Sequence, residues 1–306
     1  MGCSLKLQQH QIISKYPNYI ICEHNITEEN LNKKIRVINH NNENYKSIPQ
    51  SCDIYINGEK KESLYDYEMI KKGKNRIIIG CKTQLKDINT LFASIFTLTS
   101  LDFSHFDTSQ VFNMKSLFFD MSTITNLDLS HFITDNVTDM SLMFKDCSSL
   151  INLNLSNFNT NKVVYMKSMF DGCCSLINLN IDNFNTENVI SMRSMFSLCS
   201  SLKNLNLLHF KTNKVNDMRY MFYECSSIET LDLSNFNTEH VKNMKCMFSK
   251  CLKLINLNIK NFSFNNINNN NKDLSIILDI SKNQKDSNIC NMFENINENC
   301  QIIFGN

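Results

Sequence analysis

"NKVVYMKSMFDGCCSLINLNIDNF", residues 161–184, and "ENVISMRSMFSLCSSLKNLNLLHF", residues 187–210, carry one apolar skeleton twice at an interval of 26 residues. Val, Met, Met-Phe, Cys, Leu and Phe recur in the same places while the residues between them change. Outward from this pair, the leucines of successive L-x-L segments fall at Leu101, Leu127, Leu153, Leu179, Leu205, Leu231 and Leu257, each 26 residues after the last and without insertion. A constant period of this length is the mark of units that cannot bury an apolar face alone and must stack on their neighbours.

With these leucines at offset 0, an apolar residue stands at offset 2 and Phe at offset 5, from Phe106 to Phe262. Thr holds offset 7 (Thr108 to Thr238), Val offset 10, Met offset 13 and Phe offset 17. Apolar residues at 0 and 2 alternating with polar ones predict a short strand with one buried face. Offsets 10, 13, 16 and 17 fall on one side of a helix. The Thr ahead of this run suits an N-cap. The resulting expectation is an α/β solenoid, a right-handed leucine-rich-repeat-like array of short parallel strands and short helices, spanning 83–306. Ile88, Leu91 and Phe92 make a worn first unit, and 274–306, with Ile289, Met292 and Phe293 back in phase, a degenerate closing cap. Between them the run "FNNINNNNKD" (264–273) reads as a loop by composition. Residues 1–82 differ: β-rich runs such as "NYIICEHNI" and "NRIIIGCKT", with a hairpin turn at Asn57-Gly58, predict a small β-rich N-terminal domain or cap.

The whole chain carries a formal charge of +1 over 306 residues, which offers no overall electrostatic case for nucleic acid. No apolar run is long enough to span a bilayer, so no transmembrane segment is expected. No secretory signal is seen, and the 13 cysteines read as reduced thiols, which points to the cytoplasm. The opening "MGCSLK" offers Gly2 for myristate and Cys3 for palmitate, although Lys6 stands where Ser or Thr is usual. Membrane anchoring is expected only if Gly2 and Cys3 are acylated.

The segments "LNLSNFNTNKVVYMKSMFDGC" (153–173) and "LDLSNFNTEHVKNMKCMFSKC" (231–251) resemble the BspA-type leucine-rich repeat, a 26-residue unit of bacterial surface proteins that also occurs in protists. The resemblance covers about 83–306 and implies a stacked array with a parallel strand face and a role in binding or adhesion. The chain departs from the ordinary leucine-rich repeat in placing Phe where Asn usually stands.

No constellation of reactive residues stands out, so no catalytic residue, cofactor or metal is assigned. Gly172 is the only glycine between 83 and 304, which leaves no Gly-rich phosphate loop. The cysteines at offset 20 and the methionines read as core. His105, His131 and His209 share offset 4 without a carboxylate column beside them, and read as turn residues. What remains is the outward strand face: Asp102, Ser104, Asp128, Ser130, Asn154, Ser156, Asn180, Asp182, Asn206, Asp232 and Ser234. These short side chains lose little entropy on docking. The leading expectation is therefore a monomeric, non-catalytic scaffold or adaptor that binds a protein partner through the repeat surface. The alternative is a BspA-like surface adhesion protein that binds host or matrix protein or glycan.

Overall fold

The computed structural model describes residues 9–39, 51–62, 66–68, 71–264, 266, 290–297 and 299–304. Near the start, β1 (Asn18–Ile26) pairs antiparallel along its whole length with β6 (Gly73–Cys81). Beyond β6 lie β3 (Cys52–Ile56) and β4 (Glu59–Lys61), joined by a turn in which Asn57 and Gly58 both take positive φ. Such a turn matches the twist of the strands that it connects. A separate two-strand ribbon joins β2 (Lys34–Arg36) to β5 (Asp66–Glu68). On its free side β1 pairs with β7 (Leu98–Asp102), so the five-stranded sheet β4-β3-β6-β1-β7 takes in the strand that holds Leu101. Its inner face (Ile20, Cys22, Ile54, Ile77, Ile79) belongs to the same buried core as the repeats.

In the repeats the strands are short. β8 (Asn152–Asn154) pairs parallel with β9 (Asn178–Asn180), and β10 (Thr230–Asp232) pairs with β11 (Asn256–Ile259) and then β12 (Gln301–Phe304). On the opposite side of the Thr turn, single parallel bridges join residues 26 apart, from Asp87–Asn113 through to Asp217–Asn243. The Phe rings at offset 17 stack from Phe92 to Phe248 and continue onto Phe293, with centroids 5.5–6.3 Å apart. Val, Met, Phe and Cys of the described units, with Met121 in the Cys position of the first, line this core and are almost wholly buried.

The expected α/β solenoid of short strands and short helices is not what forms. The repeats contain no α-helix among the described residues, and their strands make small separate sheets. Residues 13 to 20 of each unit form overlapping turns instead. Offsets 15 and 19 take positive φ in every unit whose turns are described: Leu142 (60°) and Asp146 (60°) in one, Ser194 (54°) and Leu198 (60°) in another. Even-offset N–H groups bond within the coil, as Cys147 N–H does to the Phe144 carbonyl at 3.1 Å. Odd-offset N–H groups leave it for the next coil: Met114 to Asp139, Ser116 to Ser141, Phe118 to Met143 and Asp120 to Lys145, at 2.7–3.0 Å. The reason is one of hydrogen-bond supply. A helix of eight residues would leave its first four N–H and last four C=O groups without partners, whereas the turn chain pairs them along the stack. A left-handed residue costs about 1–2 kcal/mol, and four bonds between coils, each worth about 1 kcal/mol, offset two of them.

The Thr column is corrected with it. The hydroxyl caps no helix; it spans two coils. Thr108 Oγ1 donates to the Ile133 carbonyl at 3.0 Å and accepts the Ile133 N–H at 2.8 Å, and Thr134, Thr160 and Thr186 repeat the pair on Asn159, Asn185 and Lys211. The cysteines at offset 20 are donors as well. Cys147, Cys173, Cys199, Cys225 and Cys251 each point S–H at the carbonyl of the stacked Phe one coil back, at 3.0–3.1 Å. Burial pushes these thiols up, to about 12 for Cys147 and Cys251, so they stay protonated.

Candidate functional face

The strand segments turn offsets 25, 1 and 3 outward because offsets 0 and 2 point into the core. Asp102, Ser104, Asp128, Ser130, Asn154, Asn180, Asp182, Asn206 and Asp232 are exposed, and Ser156 and Ser234 half-buried. Gly2 and Cys3 lie outside the described residues. The face holds a groove of about 770 Å³ that runs across five coils. Its walls include Asp128, Asn154, Asn180, Asp182 and Asn206, together with the offset-25 row Asn126, Asn152, Asn178 and Asn204. Ile177, 43% exposed, supplies an apolar patch in it. No Lys or Arg lines it.

The offset-1 residues also have a local duty that the sequence pattern did not reveal. Each accepts the backbone N–H two residues on: Asp102 from Ser104, Asp128 from Ser130 and Asp232 from Ser234, all at 2.9 Å, with Asn154 on Ser156 at 3.1 Å. The Ser130 backbone N–H, and then its hydroxyl, hold the Asp128 carboxyl below the usual carboxylate range. The Asn180 and Asn206 bonds are longer, 3.3 Å to Asp182 and Leu208. The offset-25 row is bound to no such turn. In it, Asn178 Nδ2 donates to Asn152 Oδ1 at 2.6 Å, which leaves amide edges of both polarities toward solvent.

This face is also unevenly knitted. No ladder bond joins 203–207 to the coil on either side, although the turn side of the same coils is fully bonded. At that point His209 reaches back to the Ile181 carbonyl at 3.0 Å, where Asn235 makes two such bonds in the next unit.

The histidines of offset 4 are not brought together for a ligand. His105 stacks on Tyr19 at 4.7 Å, and His131 Nδ1 lies 3.0 Å from the Ser130 hydroxyl. Among the described residues no group of three or more His, Cys, Asp or Glu is placed to hold a metal ion. A polar cluster that pattern reading missed lies on the outer face of the first sheet. Tyr16 donates to Asp53 at 2.7 Å, with Lys60 and Lys82 3.2 and 3.1 Å from the same carboxylate. The Tyr16 ring lies flat against Gly80, where a Cβ would meet it at 2.5 Å, so the cluster fixes the helical turn of 9–13 on the sheet. Its members are far apart in the sequence and share no period, which is why no motif announces them.

Among the described residues no helix is long and apolar enough to cross a membrane. No curated protein and no solved structure matches the chain. The family described as "Mycoplasma protein of unknown function, DUF285" matches residues 86–204 and, overlapping, 173–288. Together the two matches span about two thirds of the chain and take in the described coils from 86 to 264, and the protein belongs to the DUF285 family.

Proposed function

We propose that the protein is a non-catalytic scaffold that takes a polypeptide partner along its strand face. The observation that carries this reading is the groove across five coils, walled mostly by short amides, with the carboxylates of Asp128 and Asp182 among them and an apolar patch at Ile177. Side-chain amides both donate and accept, so they match the alternating N–H and C=O groups of an extended segment. The protein acts as a monomer in the cytoplasm, and acylation at Gly2 and Cys3 would hold it at the inner membrane face. The second reading, surface adhesion to host or matrix protein or glycan, draws on the resemblance to BspA-type repeats. Protease treatment of intact cells separates the two: cleavage of the native protein favours adhesion, protection the scaffold.

The test of the groove uses the outer row, whose substitution leaves the turns intact. Bait carrying Asn126→Lys, Asn152→Lys, Asn178→Lys and Asn204→Lys is compared with the unaltered chain, with folding checked by circular dichroism. A partner captured by the unaltered chain and lost from this bait is the expected result. Equal capture by both removes the strand face from the reading.

A further inference from the structure

Cys52 opens β3, Cys81 closes β6, and the two face each other across that ladder. Both are buried thiols on the inner face of the sheet. The Cys52 S–H points at the Cys81 sulfur, 3.3 Å away.

The register makes this a pair that a covalent bond fits. At one end of the ladder the Lys82 N–H donates to the Ser51 carbonyl at 2.6 Å, and at the other the Asn57 N–H donates to the Arg76 carbonyl at 2.8 Å. Hydrogen-bonded and non-hydrogen-bonded pairs alternate in an antiparallel ladder, so these two bonds make Cys52 and Cys81 a non-hydrogen-bonded pair. Such pairs hold their Cα atoms about 4.5 Å apart, within the range of about 4.4–6.8 Å that a disulfide spans. The sulfurs need approach by only roughly 1.3 Å to reach bonding distance.

No other thiol competes for either partner. Cys22 shares the inner face but lies opposite Ile77, four residues along β6 from Cys81, which is about 13 Å at the rise of a strand. The five column thiols are each held singly to a Phe carbonyl. The pair also stands where the ladder ends. Beyond it lies the single bonded pair Ser51–Lys82, with Lys82 exposed, so fraying of that one pair admits a small reagent. Until then the contact with Cys52, and then burial, hold the Cys81 thiol protonated and unreactive.

We propose that Cys52 and Cys81 are a redox site, and close into a reversible disulfide that staples β3 to β6. The oxidant is a low-molecular-weight disulfide. One cysteine thiolate attacks it, expels one small thiol and is left as a mixed disulfide. The second thiolate attacks the cysteine sulfur of that bond, the other small thiol leaves, and the Cys52–Cys81 bond forms. The two small thiols carry away the two protons and the two electrons. This site is independent of the strand-face groove.

The experiment incubates the reduced full chain with oxidised glutathione, blocks the remaining thiols with N-ethylmaleimide in denaturant, and digests with trypsin without reduction. The expected product is peptide 47–60 joined to peptide 77–82, two hydrogens lighter than the separate thiol peptides. The thermal midpoint should rise by about 5 °C or more and return when dithiothreitol is added. Cys52→Ala and Cys81→Ala should lose the cross-link and the shift, and Cys22→Ala should keep both, with folding checked by circular dichroism. The same oxidation in urea should scatter bonds among many cysteine pairs, because the ladder no longer sets the partner. Maleimide on both Cys52 and Cys81 of the treated parent chain, a cross-link from either of them to a third cysteine, or a cross-link without the thermal shift would each overturn the proposal.

Discussion

Thr160 Oγ1 donates to the Asn185 carbonyl at 2.9 Å and accepts the N–H of the same residue at 2.7 Å, so one buried hydroxyl satisfies both backbone groups of a residue in the next coil. Thr160→Val keeps the shape and deletes both bonds. The expected cost is about 2–4 kcal/mol, because two buried polar groups lose their partner. Thr160→Ser should recover most of it. Urea midpoints of the two variants decide this, and equal midpoints would show that the hydroxyl does not join the coils.

The five stacked thiols should make the protein sensitive to alkali. A thiol whose pKa is raised by folding stabilises the fold fully below its unfolded value and loses that contribution as pH rises toward the folded one. For Cys147 and Cys251 the window runs from about 9 to about 12. Stability against urea should therefore hold from pH 7 to about 8.5 and fall steeply above it. Alkylation of the folded protein near neutral pH should label the exposed Cys174 and spare the five column thiols.

At the acid end the relevant group is His24. It is fully buried, with Nδ1 2.9 Å from the Thr97 hydroxyl and Nε2 unpartnered, and burial lowers its pKa to about 4. The fold holds it neutral, so its contribution is complete above the unfolded value of about 6.5 and is lost as pH falls toward 4. In His24→Asn the drop in stability between pH 7 and pH 4.5 should be smaller than in the parent. An identical drop in both would move the acid sensitivity elsewhere.

Leu198 sits at φ 60° and is 37% exposed, while the equivalent residue one coil earlier is Gly172 at φ 79°. Leu198→Gly removes a steric penalty at little packing cost and should stabilise by about 1 kcal/mol. Leu198→Ile, β-branched at the same φ, should destabilise. Thermal denaturation of the pair reads the sign directly.

The period and the inward residues were legible because Val111, Met114, Phe118 and their equivalents are buried at fixed offsets. The local shape was not. Offsets 13, 16, 17 and 20 give the spacing i, i+3, i+4, i+7 of a helix, and two successive four-residue turns give the same spacing. The distinction lies in φ at positions such as Leu142 and Glu224, whose side chains do not advertise a left-handed backbone. On the candidate face, Asp128 and Asn154 could be placed outward from alternation alone. Their bonds to Ser130 and Ser156 could not, because Asx turns depend on a bend that the strand pattern conceals.

The bonds of the turn chain all run one way: N–H groups face the following coil and carbonyls the preceding one, from Ile88 to Lys250. Peptide dipoles in these columns therefore add along the stack as they do along a helix. A second column runs the other way, as from the Thr138 N–H to the Phe112 carbonyl, but the turn chain has four bonds per pair of coils against its one, so this side of the stack has its positive terminus at the closing coil and its negative one at the first. At the negative terminus the Asn39 N–H meets the Leu91 carbonyl at 3.1 Å and its side-chain amide the Ala93 carbonyl at 3.0 Å. The segment that follows β2 thus works as an insulator as well as a lid, and the two ends of the stack are not interchangeable surfaces for anything charged that approaches them.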